Sequence, residues 1–96
     1  MKPVQIVYSP TAKEYLRHLY PDLKKSLREA IEELLADPRK GKPLREEFDG
    51  FRSHRFKRYR IIYRYREDKH RVEIAFAGGR SDVYRLFSDY LKKLNG

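Results

Sequence analysis

A run of alternating arginines and aromatics, from Phe51 to Tyr65, can be laid down economically only as β-structure. On an extended backbone Tyr59, Ile61, Tyr63 and Tyr65 fall on one face, and Arg60, Ile62, Arg64 and Arg66 on the other. Aromatic and β-branched residues favour the pleated conformation. The tyrosine face requires a core behind it. The guanidinium face suits a surface that grips a polyanion, with aromatics close enough to stack on bases. For any single arginine, a solvated basic face is the plainer alternative.

The charge is unevenly placed. Residues 1–38 carry six basic and six acidic side chains, residues 39–71 thirteen and five, and residues 72–96 four and three. Nearly all of the net charge of +9 therefore sits in the middle third. Such a region attracts nucleic acid by counterion release, and it also attracts acidic proteins. A chain of 96 residues is enough for one core, so a single domain over residues 1–96 is expected. The absence of cysteine excludes a disulfide framework and a thiolate zinc site. No apolar signal region or membrane-length run is present, which predicts a soluble, cytoplasmic protein with no membrane partner.

Val4, Ile6 and Tyr8 predict a short first strand. Ser9-Pro10 reads as a helix start, with serine as cap and proline at the first helical position. Pro21 divides the helical region, because its ring lacks a donor and disfavours helix at Tyr20. Leu23, Leu27, Ile31, Leu34 and Leu35 then give an apolar stripe that ends at Pro38. Residues 39–50 read as a loop punctuated by Gly41, Pro43 and Gly50. Strands follow at 51–57, 59–67 and 71–77, the last with Val72, Ile74 and Phe76 facing inward. Residues 78–82 break the strand, and Val83, Phe87, Tyr90, Leu91 and Leu94 form the stripe of a final helix. The predicted class is α+β, in the order β-α-α-β-β-β-α: a small antiparallel sheet with a helical hairpin packed on one face.

Nucleotide-binding glycine motifs are absent, and no cofactor is expected. His18, His54 and His70 lack metal-ligand spacing, so no metal site is expected. His54 lies inside the basic strand and is a candidate base near neutral pH. Arg55, Lys57, Arg60, Arg80 and Tyr84 remain as the polar groups with a claim to chemistry. The periodicity leaves open whether Tyr84 points to the core edge or to the sheet.

Tyr59-Arg60-Ile61-Ile62-Tyr63, followed by Gly78-Gly79-Arg80-Ser81-Asp82-Val83-Tyr84, resembles the spine of the RelE/ParE toxin superfamily. The resemblance extends to the Ser-Pro before the first helix and the Gly-Phe that opens the second strand, and so covers nearly the whole chain. It implies a toxin of a type II toxin–antitoxin system with a cognate antitoxin partner. On the RelE-like reading it implies a metal-independent endoribonuclease that cuts messenger RNA on the ribosome. By position Arg60, Arg80 and Tyr84 match the RelE-type catalytic set, and Arg55 matches the later of two basic strand positions. His54, Lys57 and Arg58 are added as RNA-binding neighbours, with His54 an alternative base to Tyr84. The earlier basic position is Ser53, the glycine that usually precedes Tyr-Arg is Arg58, and the usual histidine before the second arginine is Gly79. ParE-like members poison DNA gyrase without cleaving RNA, which is the alternative function. A non-toxic antitoxin-binding member is a third.

Overall fold

The computed structural model describes residues 3–95. Along the chain, β1 (Gln5–Tyr8) leads into α1 (Pro10–Arg17) and α2 (Pro21–Ala36). Then come β2 (Lys42–Pro43), β3 (Arg52–Phe56), β4 (Tyr59–Arg66), β5 (Arg71–Gly79) and α3 (Val83–Asn95). The strands form one sheet in the order β1-β5-β4-β3-β2. From β2 to β5 each neighbouring pair is antiparallel, whereas β1 lies parallel to β5 at the edge. The α+β class and the helical hairpin are as the sequence predicts.

Ser9 does two jobs. Its hydroxyl accepts the Ala12 N–H at 3.0 Å, capping α1, and donates to the Ala75 carbonyl at 2.6 Å. Pro21 opens α2 after an extended Tyr20, so the helical break falls where the proline requires it.

Each face of the sheet has its own apolar cluster. Under α1 and α2 pack Leu16, Leu34, Ile61, Tyr63, Val72 and Ile74; under α3 pack Ile62, Phe76, Val83 and Phe87. Phe76 corrects the expected pattern, since it does not share the face of Val72 and Ile74. Ile62 pairs with Phe76 but Tyr63 with Ile74, so Ala75 is an extra residue on β5. This bulge carries Phe76 to the α3 side. β5 also runs on to Gly79 instead of breaking at Gly78, because Tyr59 and Arg60 extend its ladder. Residues 39–50 are not a plain loop. Lys42 and Pro43 pair with Ser53 and Arg52, and a 3-10 turn at Glu46–Phe48 sets Phe48 against Phe87, 5.3 Å between ring centroids.

Candidate functional site

The site lies on the α3 side of the sheet, and strand register assembles it. Ser53 stands opposite Ile62, Arg55 opposite Arg60, and Arg60 opposite Gly78 on the next strand. Since Ile62 packs under α3, period-2 alternation puts Ser53, Arg55 and Arg60 on that same side. Arg55 and Arg60 are thus directly opposed like charges, an arrangement that costs stability until an anion lies between them. Gly78 gives Arg60 a partner with no side chain. A β-carbon there would sit 3.2 Å from Val83 Cγ2, so the same glycine lets α3 start close above the sheet.

Not every arginine on this face is free. The Arg64 guanidinium lies 4.5 Å from the centre of the Phe51 ring, and Arg66 reaches Asp68 at 3.6 Å. Arg52, on the opposite face, donates to the carbonyls of Gly41 and Arg39 at 2.9 and 3.0 Å. Among the described residues, Arg55, Lys57, Arg58, Arg60 and Arg80 have no carboxylate within ion-pair distance, unlike Arg39, Arg66, Arg71 and Arg85. These five unpaired cations are gathered at one end of the β3–β5 ladder.

Arg80 is tied to that end by its main chain. Its N–H donates to the Arg58 carbonyl at 2.8 Å, and both residues border a cavity of about 380 Å³ with Tyr59, Gly79 and Ser81. The two-residue turn that presents Lys57 and Arg58 places Lys57 in the left-handed region, at φ 53°. Both side chains are exposed.

Tyr84, in the first turn of α3, is directed to the sheet. Its hydroxyl donates to Ser53 Oγ at 3.0 Å, and its ring lies 6.1 Å from that of Phe48. The structure thus brings Arg55, Arg60 and Tyr84 to one face, with Arg58 and Arg80 at its end. Ser53, at the earlier basic position of the family pattern, is the polar member to which sequence reasoning assigns no role. It is 4% exposed, and only the register with Ile62 shows that it underlies Tyr84.

His54 is elsewhere. It is paired with Ile61 and therefore projects to the α2 side, where its Nε2 lies 3.2 Å from Glu33 Oε1. Its side chain is only 10% exposed. His54, a candidate base and RNA-binding neighbour from the sequence, is thus turned away from Arg55 and Arg60, because residues adjacent in a strand point to opposite faces. Lys40 first, and then His54, hold the Glu33 carboxyl below the usual carboxylate range. Among the described residues no group of three or more His, Cys, Asp or Glu is arranged to hold a metal ion.

A family model described as the ParE toxin of a type II toxin–antitoxin system, parDE, matches residues 6–84. Toxin RelE of Mycobacterium tuberculosis (strain ATCC 25618 / H37Rv) is 44% identical over 54 residues, which is 55% of this chain and 56% of that protein. The chain therefore spans little more than half the length of this curated relative. The toxin–antitoxin complex RelBE2 of Mycobacterium tuberculosis superposes with a TM-score of 0.73 at 32% identity, covering 82% of this chain and 100% of that one. A mutant of the E. coli toxin RelE in the free state superposes at 0.75 with 19% identity, covering 96% and 98%. At that identity the likeness speaks for the fold.

Proposed function

This chain belongs to the family of ParE toxins of type II toxin–antitoxin systems, on the RelE-like branch of the superfamily, and we propose that it is a ribosome-dependent endoribonuclease that cuts messenger RNA without a metal. The observation that carries the reading is the set of unpaired arginines beside a phenol on one face of the sheet. In the proposed reaction a ribose 2′-oxygen attacks the adjacent phosphorus and gives up its proton. The bond from phosphorus to the 5′-oxygen breaks, leaving a cyclic phosphate and a 5′-hydroxyl protonated by water. Arg60 and Arg80 stabilise the charge on the crowded phosphorane, because guanidinium stays protonated and grips phosphate oxygens in pairs. Tyr84 takes the 2′-proton, and Arg55, Lys57 and Arg58 hold the flanking RNA backbone. The ribosome supplies much of the alignment, so a weak base suffices.

The partner in the resting state is an antitoxin, as the solved relatives in complex with theirs suggest. We assign residues 1–96 to one toxin domain working in the cytoplasm. No helix among the described residues is long and apolar enough to cross a membrane.

Primer extension on a translated messenger, with purified protein and ribosomes, tests the reading. Cuts within codons that vanish with Arg80→Ala support it. A folded Arg80→Ala protein that cuts like wild type removes the assignment. A toxic wild type that leaves the messenger whole moves the function to gyrase inhibition, the reading that the ParE name of the matching family favours.

A further inference from the structure

We infer that Ser53 is a positioning residue for proton transfer by Tyr84. The inference rests on the nuclease reading above and adds to it the serine that stands at the earlier basic position. Ser53 Oγ accepts the Tyr84 hydroxyl at 3.0 Å, and no other hydrogen bond is formed by either hydroxyl among the described residues. Ser53 is 4% exposed, held between β2 and β4 by its pairings with Lys42 and Ile62, so its oxygen is fixed in place. Its own proton has no acceptor among the described residues and is free to turn. The Tyr84 ring is fixed from the other side by Phe48.

This pair has two useful states. With Tyr84 neutral, Ser53 accepts and aims the phenol's lone pairs away from the core, towards the arginine face. With Tyr84 ionised, the serine hydroxyl rotates and donates to the phenolate. In the reaction, the phenolate oxygen takes the proton of the ribose 2′-hydroxyl as that oxygen bonds to phosphorus. The 5′-oxygen leaves and takes a proton from water. Ser53 keeps its proton throughout and only reverses the direction of one hydrogen bond. A hydroxyl serves this role better than an ammonium group would in one respect, because it can both accept and donate.

Single-turnover cleavage on programmed ribosomes, followed as a function of pH, tests the inference. For Ser53→Ala we expect the rate at neutral pH to fall about ten- to a hundredfold, the size of a lost hydrogen bond to a charged group. The rise of rate with pH should move to more alkaline pH, with the concentration giving half-maximal rate unchanged. Ser53→Thr, which keeps the hydroxyl, should recover most of the rate. In a Tyr84→Phe background, Ser53→Ala should cost nothing more. A separate readout needs no activity: in protein labelled with 3-fluorotyrosine, the resonance lost in Tyr84→Phe should shift in Ser53→Ala and return in Ser53→Thr. If wild type cuts and folded Ser53→Ala keeps the wild-type pH profile, the inference fails and the nuclease reading stands. If wild type cuts nothing, the nuclease reading fails and takes the inference with it.

Discussion

Tyr63 and Gly41 are fitted to one space: the phenol oxygen accepts the Gly41 N–H at 2.9 Å, and a β-carbon on Gly41 would lie 2.6 Å from that oxygen. The same hydroxyl donates to the Pro38 carbonyl at 2.8 Å, so one buried side chain fastens the end of the helical hairpin to the middle of the sheet. Gly41→Ala should destabilise the fold by about 1–3 kcal/mol, since Tyr63 is fully buried and has nowhere to move. Tyr63→Phe should cost about 1–3 kcal/mol by stranding a buried donor and acceptor. Urea unfolding monitored by circular dichroism checks both, and an unchanged midpoint for Gly41→Ala would contradict the contact.

Burial raises the pKa of Tyr63 above the ordinary value of 10.0, outweighing the Gly41 hydrogen bond that lowers it. The folded state therefore holds this proton more tightly than the unfolded state does. Its contribution is fully present below about pH 10 and is lost as pH rises through the raised value. Thermal midpoints measured from neutral to alkaline pH should decline above about pH 10 in wild type. The decline should be shallower in Tyr63→Phe.

The opposed Arg55 and Arg60 set stability against function. Arg55→Glu replaces a like-charge pair by an attractive one and should raise stability by roughly 0.2–1 kcal/mol. The same change should weaken RNA binding at least tenfold by putting a carboxylate where a phosphate belongs. Denaturation midpoints and filter binding to a short single-stranded RNA read the two effects. A variant both less stable and tighter binding would refute this account of the pair.

Arg58 and Arg80 meet at the end of the ladder through one main-chain hydrogen bond. If each contacts a phosphate, replacing either by alanine should reduce the slope of log affinity against log salt by about 0.7 for single-stranded RNA. Titrations at several salt concentrations would show it. A weaker affinity with an unaltered slope would mean that the side chain acts through shape and not charge.

On the other face, His54→Gln should leave cleavage nearly unchanged, because His54 is turned towards Glu33 beneath α2. The lowered pKa of Glu33 adds stability at neutral pH that disappears as pH falls through the carboxylate range. Glu33→Gln should accordingly flatten the acid limb of a plot of thermal midpoint against pH. A complete loss of cutting by folded His54→Gln would return that histidine to the reactive side.

The sequence displays most of the frame. The alternation at Tyr59–Tyr65, the Ser9-Pro10 start of α1, the Pro21 start of α2, and the stripes of α2 and α3 are local patterns with local causes. The site is legible only in part. Arg60 stands out by alternation and Arg80 by the glycines before it, but the partner of Tyr84 depends on which β3 residue faces which β4 residue. That register is set by a turn of only two residues, Lys57 and Arg58, which carries little of the usual glycine or asparagine signature. The change of face at Phe76 is hidden for a related reason. An unbroken apolar run from Ile74 to Ala77 gives no sign of where one residue is left over. Arg64 also shows the limit of pattern: it alternates with the tyrosines as Arg60 does, yet it is occupied by Phe51.

β5 sits between β1 and β4, yet it is made after both. During synthesis the first strand leaves the ribosome with no neighbour to join, and its place beside Arg71–Ile74 exists only once most of the chain is out. A nascent chain halted before Arg71 lacks an inner slat of its sheet, and one halted before Tyr84 lacks the proposed base. The sheet therefore cannot be completed strand by strand in the order of synthesis, and it closes only when β5 enters between its neighbours.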